Sequence, residues 1–153
     1  MTRLLAVTVI DFETLPIEDR PAYPPKPVGF SIQGPRDKAP RYYAWGHLAG
    51  GNNCTLKQAR NVLQAAWRSG PLLFHNAKFD IDVAQTHMDC KGYPEFHDTM
   101  FLLFLDDPHA ASLALKQSAE RLLGMVPGER DKMSDWLWDH RTELVAGFGV
   151  KVS

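Results

Sequence analysis

Asp11 and Glu13 stand two residues apart at the end of an apolar run, Leu4 to Ile10, and form a candidate metal-binding pair. Strand side chains alternate between faces, so residues at i and i+2 project to the same side and two carboxylates converge at a sheet edge. Hard divalent cations such as Mg²⁺ or Mn²⁺ take oxygen ligands, and phosphoryl-transfer sites hold two of them roughly 3.5–4 Å apart between several acids. A third acid, Asp80, ends the stretch Asn76-Ala77-Lys78-Phe79-Asp80. That stretch follows the short apolar run Leu72 to Phe74 and opens a helix, which brings Asp80 to the edge that carries Asp11. Alone, each signal is weak. With 18 acids in the chain, pairs such as Asp80-Ile81-Asp82 arise by chance, and an acid in a helix's first turn is favoured by the helix dipole whatever its chemistry. What raises Asp11 and Glu13 above chance is their place, directly after the most hydrophobic strand and before a rigid proline-rich turn.

The elements that must position these acids are legible in outline. Leu4 to Ile10 reads as a central strand covered on both faces, closed by Asp11-Phe12-Glu13. Pro16, Pro21, Pro24, Pro25 and Pro27 exclude regular structure from the connection that follows. Strands are then expected at Val28 to Ile32 and Arg41 to Trp45, with Gly34-Pro35 as the turn between them. Thr55 fits a helix start, and Leu56, Ala59, Val62, Leu63, Ala66 and Trp67 recur at helical spacing up to the stop Ser69-Gly70-Pro71. A strand at Leu72 to Phe74, a helix from Ala77 to about Met88 and a short strand at Glu95 to His97 follow. Asp98-Thr99 caps a helix through Leu105, Ser112 begins another that stops at Gly124, and a further short helix is expected around Lys132 to Arg141. A three-strand meander followed by β-α-β units implies an α/β fold: a mixed five-stranded, ribonuclease-H-like sheet with helices on its faces.

The 153 residues match one domain, able to bury a core without disulfides or a structural metal. A net charge of −1 gives no global basic field, so contact with nucleic acid must come from local groups around a site. Cys54 and Cys90 form no close pair, as in a reducing compartment, and a cytoplasmic location is expected. No apolar stretch approaches the roughly 20 residues of a membrane helix. His87, Cys90 and His97 lie close in sequence but lack the second ligand pair of a zinc site. Neither a nucleophile elbow nor a phosphate-cradling glycine loop is present. Tyr42, Tyr43 and Trp45 beside Arg41 could form a base-stacking patch, but aromatics on a strand more often pack, and packing is the expectation.

Asp11-Phe12-Glu13-Thr14 resembles the first motif of the DEDD 3′→5′ exonucleases, and Asn76-x-x-Phe79-Asp80 resembles their second. His97-Asp98-Thr99-Met100, with Leu115-Lys116-x-x-Ala119-x-x-Leu122-Leu123-Gly124, is similar to the matching segment in proofreading domains of family A DNA polymerases and their phage relatives. The resemblance spans residues 4 to 124. It implies that Asp11 bridges two metal ions, that Glu13 binds the one that activates water, and that Asp80 holds the other. It also implies that Thr14, Leu15 and Ile17 meet the terminal nucleotide, with Leu15 or Ile17 as an apolar wedge, and that Asn76 orients the helix start near the substrate. Asp98 matches a position that is not a ligand, and a capping role is expected for it.

The family's fourth acid lies in a late helix, in a Tyr-x-x-x-Asp or His-x-x-x-x-Asp motif, and nothing here fits that pattern. Asp131, Asp135 and Asp139 are the late acids, and they fall in the segment that normally precedes the missing helix. The expectation is a single exonuclease-like domain over 1–153 that lacks the usual last helix, with one of its two Mg²⁺ or Mn²⁺ positions weak. The implied substrate is the 3′ end of single-stranded DNA, with RNA as the alternative within the class and a polymerase domain or partner chain as a candidate associate. A non-catalytic single-strand-binding or scaffold module is the rival reading from another class.

Overall fold

Ile10 and Phe12 alternate with Val9, Asp11 and Glu13, the first pair buried and the other three exposed, and this alternation defines strand β1, Thr8–Thr14. In the computed structural model the described residues are 6–17 and 23–125. The chain divides into two compact units, Met1–Asp106 and Asp107–Ser153.

β1 corrects two expectations. It runs one residue past the expected close at Asp11-Phe12-Glu13, to Thr14, because β2 (Pro27–Gln33) pairs with it antiparallel from Val9 to Thr14. It is also not covered on both faces: Asp11 and Glu13 lie within a strand whose other face alone carries its buried side chains. The apolar run marked where a strand begins to be hydrophobic, while the hydrogen-bonding partner decides where it ends.

β3 (Arg41–Ala44) pairs antiparallel with β2, completing the meander. Helix α1 (Leu56–Ser69) then leads to β4 (Leu72–Phe74), which pairs parallel with β1. Helix α2 (Ala77–His87) leads to β5 (Phe96–Asp98), parallel to β4. The strand order β3-β2-β1-β4-β5 makes the mixed five-stranded α/β sheet of the ribonuclease-H-like class, as the element order implied. Helix α3 (Thr99–Asp106) closes the first unit.

The core gathers Ile10, Phe12, Phe30 and Ile32 from the sheet, Ala59, Leu63 and Trp67 from α1, and Ala77, Ile81 and Ala84 from α2. α1 starts at a full capping box: the Thr55 hydroxyl accepts from the Gln58 N–H at 3.2 Å and the Gln58 amide oxygen accepts from the Thr55 N–H at 2.8 Å. Side chains of α1 also hold the chain that follows α2. Gln64 donates to the carbonyls of Met88 and Asp89 at 3.2 and 3.1 Å, and the Trp67 indole donates to that of Gly92 at 3.3 Å.

In the second unit, α4 (Leu115–Leu123) ends at Gly124, whose φ of 63° is the left-handed conformation that a C-cap glycine adopts without strain. Its start is later than Ser112, whose hydroxyl instead accepts from the Ala114 N–H at 3.1 Å. No helix among the described residues is long and apolar enough to cross a membrane. The helix expected over 132–141, the late acids Asp131, Asp135 and Asp139, and any last helix fall outside the described residues.

Candidate active site

β4 runs beside β1 only at Thr8 and Val9, so beyond Val9 that edge of β1 has no strand partner. Asp80, in the first turn of α2, fills the gap: its Oδ1 accepts from the backbone N–H of Phe12 at 3.1 Å. The third acid is thereby tied to the peptide between the other two. Only 3 % of Asp80 is exposed. Burial pushes its carboxyl up to about 7, against the opposing hydrogen bond from Phe12, and the negative charges of Asp11 and Asp98 push in the same direction as burial.

α2 is aimed by Asp98. One carboxylate oxygen accepts from the Asn76 N–H at 3.0 Å and from the Met100 N–H at 2.9 Å, while the other accepts from the Ala77 N–H at 2.9 Å. One side chain thus serves the starts of both α2 and α3, in the capping role expected of it. Asn76 takes the N-cap position with φ 67° and ψ 55°, left-handed backbone, and its side chain makes no capping bond. It is exposed, with its amide free of a helical duty.

On β1, Asp11 and Glu13 share the exposed face. Thr14 donates its hydroxyl to the Leu15 carbonyl at 2.9 Å, and the Leu15 N–H donates to the Lys26 carbonyl at 3.0 Å, which fixes the start of the connection. Leu15 and Ile17 leave 39 % and 67 % of their surfaces exposed beside it. The connection is also pinned to α2, where the Tyr23 hydroxyl meets Asp82 at 3.2 Å and His87 Nε2 lies 2.9 Å from the Pro24 carbonyl. Asp82 also pairs with Lys78 at 2.6 Å, so the second acid of Asp80-Ile81-Asp82 is spoken for structurally.

Tyr42 is the neighbour that sequence reasoning assigned to packing. Tyr43 and Trp45 do pack, with ring centroids 5.3 and 5.9 Å from Phe30. Tyr42 lies on the opposite face, in line with Ser31 and Asp11 across the three strands. Its hydroxyl is 2.7 Å from His47 Nε2. Partial burial, and then the charge of Glu13, hold its phenol above the ordinary range. The parity of Tyr42 relative to Tyr43 was visible in the sequence; which parity shared a face with the acids was not.

By donor chemistry the three carboxylates suit Mg²⁺ or Mn²⁺, and a cation would offset the cost of charging buried Asp80. The charge of Asp11 adds to the cost of ionising Asp80. The convergence is incomplete: among the described residues no three His, Cys, Asp or Glu side chains gather closely enough to hold one ion, and the charge of Glu13 is felt at Tyr42. The histidine and cysteine zinc candidates fare no better, with His87 bonded to Pro24 and Cys90 buried.

No protein-family model matches the chain, and no curated protein does. Solved structures do match. Among them is NrnC of Brucella melitensis with bound Mg²⁺, at a TM-score of 0.58 and 19 % identity, over 82 % of this chain. The likeness is one of fold. The match covers 57 % of the NrnC chain, so this sequence corresponds to little more than half of that protein's length.

Proposed function

We propose that the chain is a 3′→5′ exonuclease of the DEDD type, hydrolysing phosphodiester bonds from the 3′ end of single-stranded DNA, with RNA as the alternative substrate. The observation that carries the reading is the bond from the Phe12 N–H to Asp80, which links a buried acid on one element to the peptide flanked by Asp11 and Glu13 on another. A structural acid in a first helical turn would serve its own helix; this one reaches across to β1. The fold shared with NrnC, a protein solved with Mg²⁺ bound, supports the same reading.

Asp11 and Asp80 would hold one divalent cation and Asp11 with Glu13 the other. When bound, the cations would stabilise charge on the attacking and leaving oxygens of an in-line displacement. The chain's own work is positional. β1 presents Asp11 and Glu13 on one exposed face, Asp98 fixes the helix start that delivers Asp80, and Thr14, Leu15 and Ile17 would meet the terminal nucleotide, the exposed surfaces of Leu15 and Ile17 supporting that role. Asn76, exposed at the same helix start, would orient that start near the substrate.

The test uses 5′-labelled single-stranded DNA and RNA of one sequence, with Mg²⁺ or Mn²⁺. The parent should yield a ladder of products shortened from the 3′ end, and Asp11→Asn should lower the rate at least a hundredfold while leaving the circular dichroism spectrum unchanged. Parental activity in Asp11→Asn would remove Asp11 from the mechanism. A second reading, a non-catalytic single-strand-binding module, draws on the incomplete convergence of the three acids. Under it, oligonucleotide binds and no ladder forms with either metal.

A further inference from the structure

Glu13 pairs across the sheet with Gly29, and cross-strand neighbours place their Cβ atoms about 4.5–5.5 Å apart. Gly29 has no Cβ, and the space is taken by Tyr42: a methyl built there would stand 2.8 Å from the Tyr42 ring carbon Cζ and closer still to the hydroxyl. The Tyr42 hydroxyl therefore lies over the partner residue of Glu13, and the charge of Glu13 is felt at it. Behind it stands His47, with Nε2 at 2.7 Å from the hydroxyl and the two rings 6.0 Å apart.

The pair is held firmly for so exposed a loop. The His47 N–H donates to the Asn52 side-chain oxygen and the Asn52 amide donates back to the His47 carbonyl, each at 3.0 Å. Asn53 accepts from the Ala44 N–H at 2.9 Å and donates to the Tyr42 carbonyl at 2.8 Å. Two asparagines thus clamp the loop carrying His47 to the strand carrying Tyr42. Packing does not account for this arrangement, since Tyr42 turns away from the aromatic core formed by Phe30, Tyr43 and Trp45.

Resting on the exonuclease reading above, we infer that Tyr42 is a positioning residue for Glu13, and that His47 orients it by donating from Nε2–H to the Tyr42 oxygen. A phenol has one proton. With its oxygen accepting from His47, that proton is left to donate to the Glu13 carboxylate, which holds Glu13 ready to ligate a cation. Partners that orient a ligating carboxylate are typically worth about 10–100-fold in metal affinity or activity.

Two measurements decide it. In the metal-free protein, long-range ¹H–¹⁵N NMR should show His47 protonated at Nε2, with its resonances shifting in Glu13→Gln and in Tyr42→Phe. An Nδ1–H tautomer with Nε2 unprotonated, or resonances indifferent to Glu13→Gln, overturns the chain of donors. In the second, Tyr42→Phe and His47→Ala should each weaken Mn²⁺ binding in calorimetry about tenfold. For hydrolysis they should lower kcat and raise the half-saturating Mn²⁺ concentration, leaving KM for the oligonucleotide within about twofold. Tyr42→Phe keeps the ring, so a raised KM confined to Tyr42→Ala would mean a stacking platform and overturn the positioning role. If the parent does not hydrolyse nucleic acid, the exonuclease reading fails, while the NMR and Mn²⁺ affinities still support or overturn the Tyr42–Glu13 link.

Discussion

With 3 % of its surface exposed, Asp80 is raised by burial to about 7, so near neutral pH the carboxyl is close to half charged. An acid whose folded pKa lies above its unfolded value binds more protons in the folded state. The stability its neutral form contributes is fully present below about pH 4 and is lost as pH rises through about 7. At about 1.4 kcal/mol per unit, the cost of charging it amounts to roughly 4 kcal/mol as an upper bound. Asp80→Asn should therefore be more stable than the parent by about 1–3 kcal/mol in metal-free urea denaturation at pH 8, and the difference should shrink towards pH 5. Its amide oxygen still accepts the Phe12 N–H. The same variant should be inactive, and Mg²⁺ should raise the Tm of the parent at pH 8 but not that of Asp80→Asn. Equal stability at both pH values would mean that burial does not tax this carboxyl. Asp80 was picked out by its motif, but its pairing with the Phe12 peptide, 68 positions away, was beyond any local pattern.

Among the elements, helix ends were the most legible and strand ends the least. Thr55 and Gln58, or Gly124, carry their capping chemistry within three or four residues, a range that a sequence displays directly. The far end of β1 and the covering of its faces were misjudged because its limits belong to β2 and β4 as much as to itself. Asp98 combines the two cases. Its cap on α3 is local and was foreseen; its grip on Asn76 and Ala77, 22 and 21 positions back, is tertiary. Asp98→Ala removes the acceptor for three backbone donors at two helix starts, at about 1 kcal/mol per cap and more where a buried donor is orphaned. Chemical denaturation should show a loss of about 2–3 kcal/mol, against about 1 kcal/mol for Thr55→Ala, whose capping box serves one helix. A loss no greater than that of Thr55→Ala would deny Asp98 its double role.

At the scale of the whole molecule, a net charge of −1 restricts how the chain can hold nucleic acid. Affinity that rests on neutralising phosphates falls with salt by about 0.7 in the logarithm per phosphate for single strands. Here the slope of log affinity against log salt should be shallow, of magnitude about 2 or less at fixed metal concentration, as for a protein that grips one or two terminal nucleotides. Fluorescence anisotropy with a labelled oligonucleotide would measure it. A slope steeper than about 4 would require an extended basic track that the composition does not suggest.

From the sequence alone came the fold class, the order of the elements over the described residues, the caps Thr55, Asp98 and Gly124, and the candidate acids Asp11, Glu13 and Asp80, through periodicity, local hydrogen-bonding chemistry and the resemblance of the motifs to a known family. The tertiary structure decided what depends on which strands and helices become neighbours. Pairing with β2 carried β1 to Thr14, the open edge beyond Val9 gave Asp80 its partner, and the absent side chain of Gly29 left room for the Tyr42 hydroxyl. The physical reason is common to all three: a hydrogen bond or a vacant Cβ position across a sheet is a relation between distant residues, and nothing in either residue's own neighbourhood encodes it.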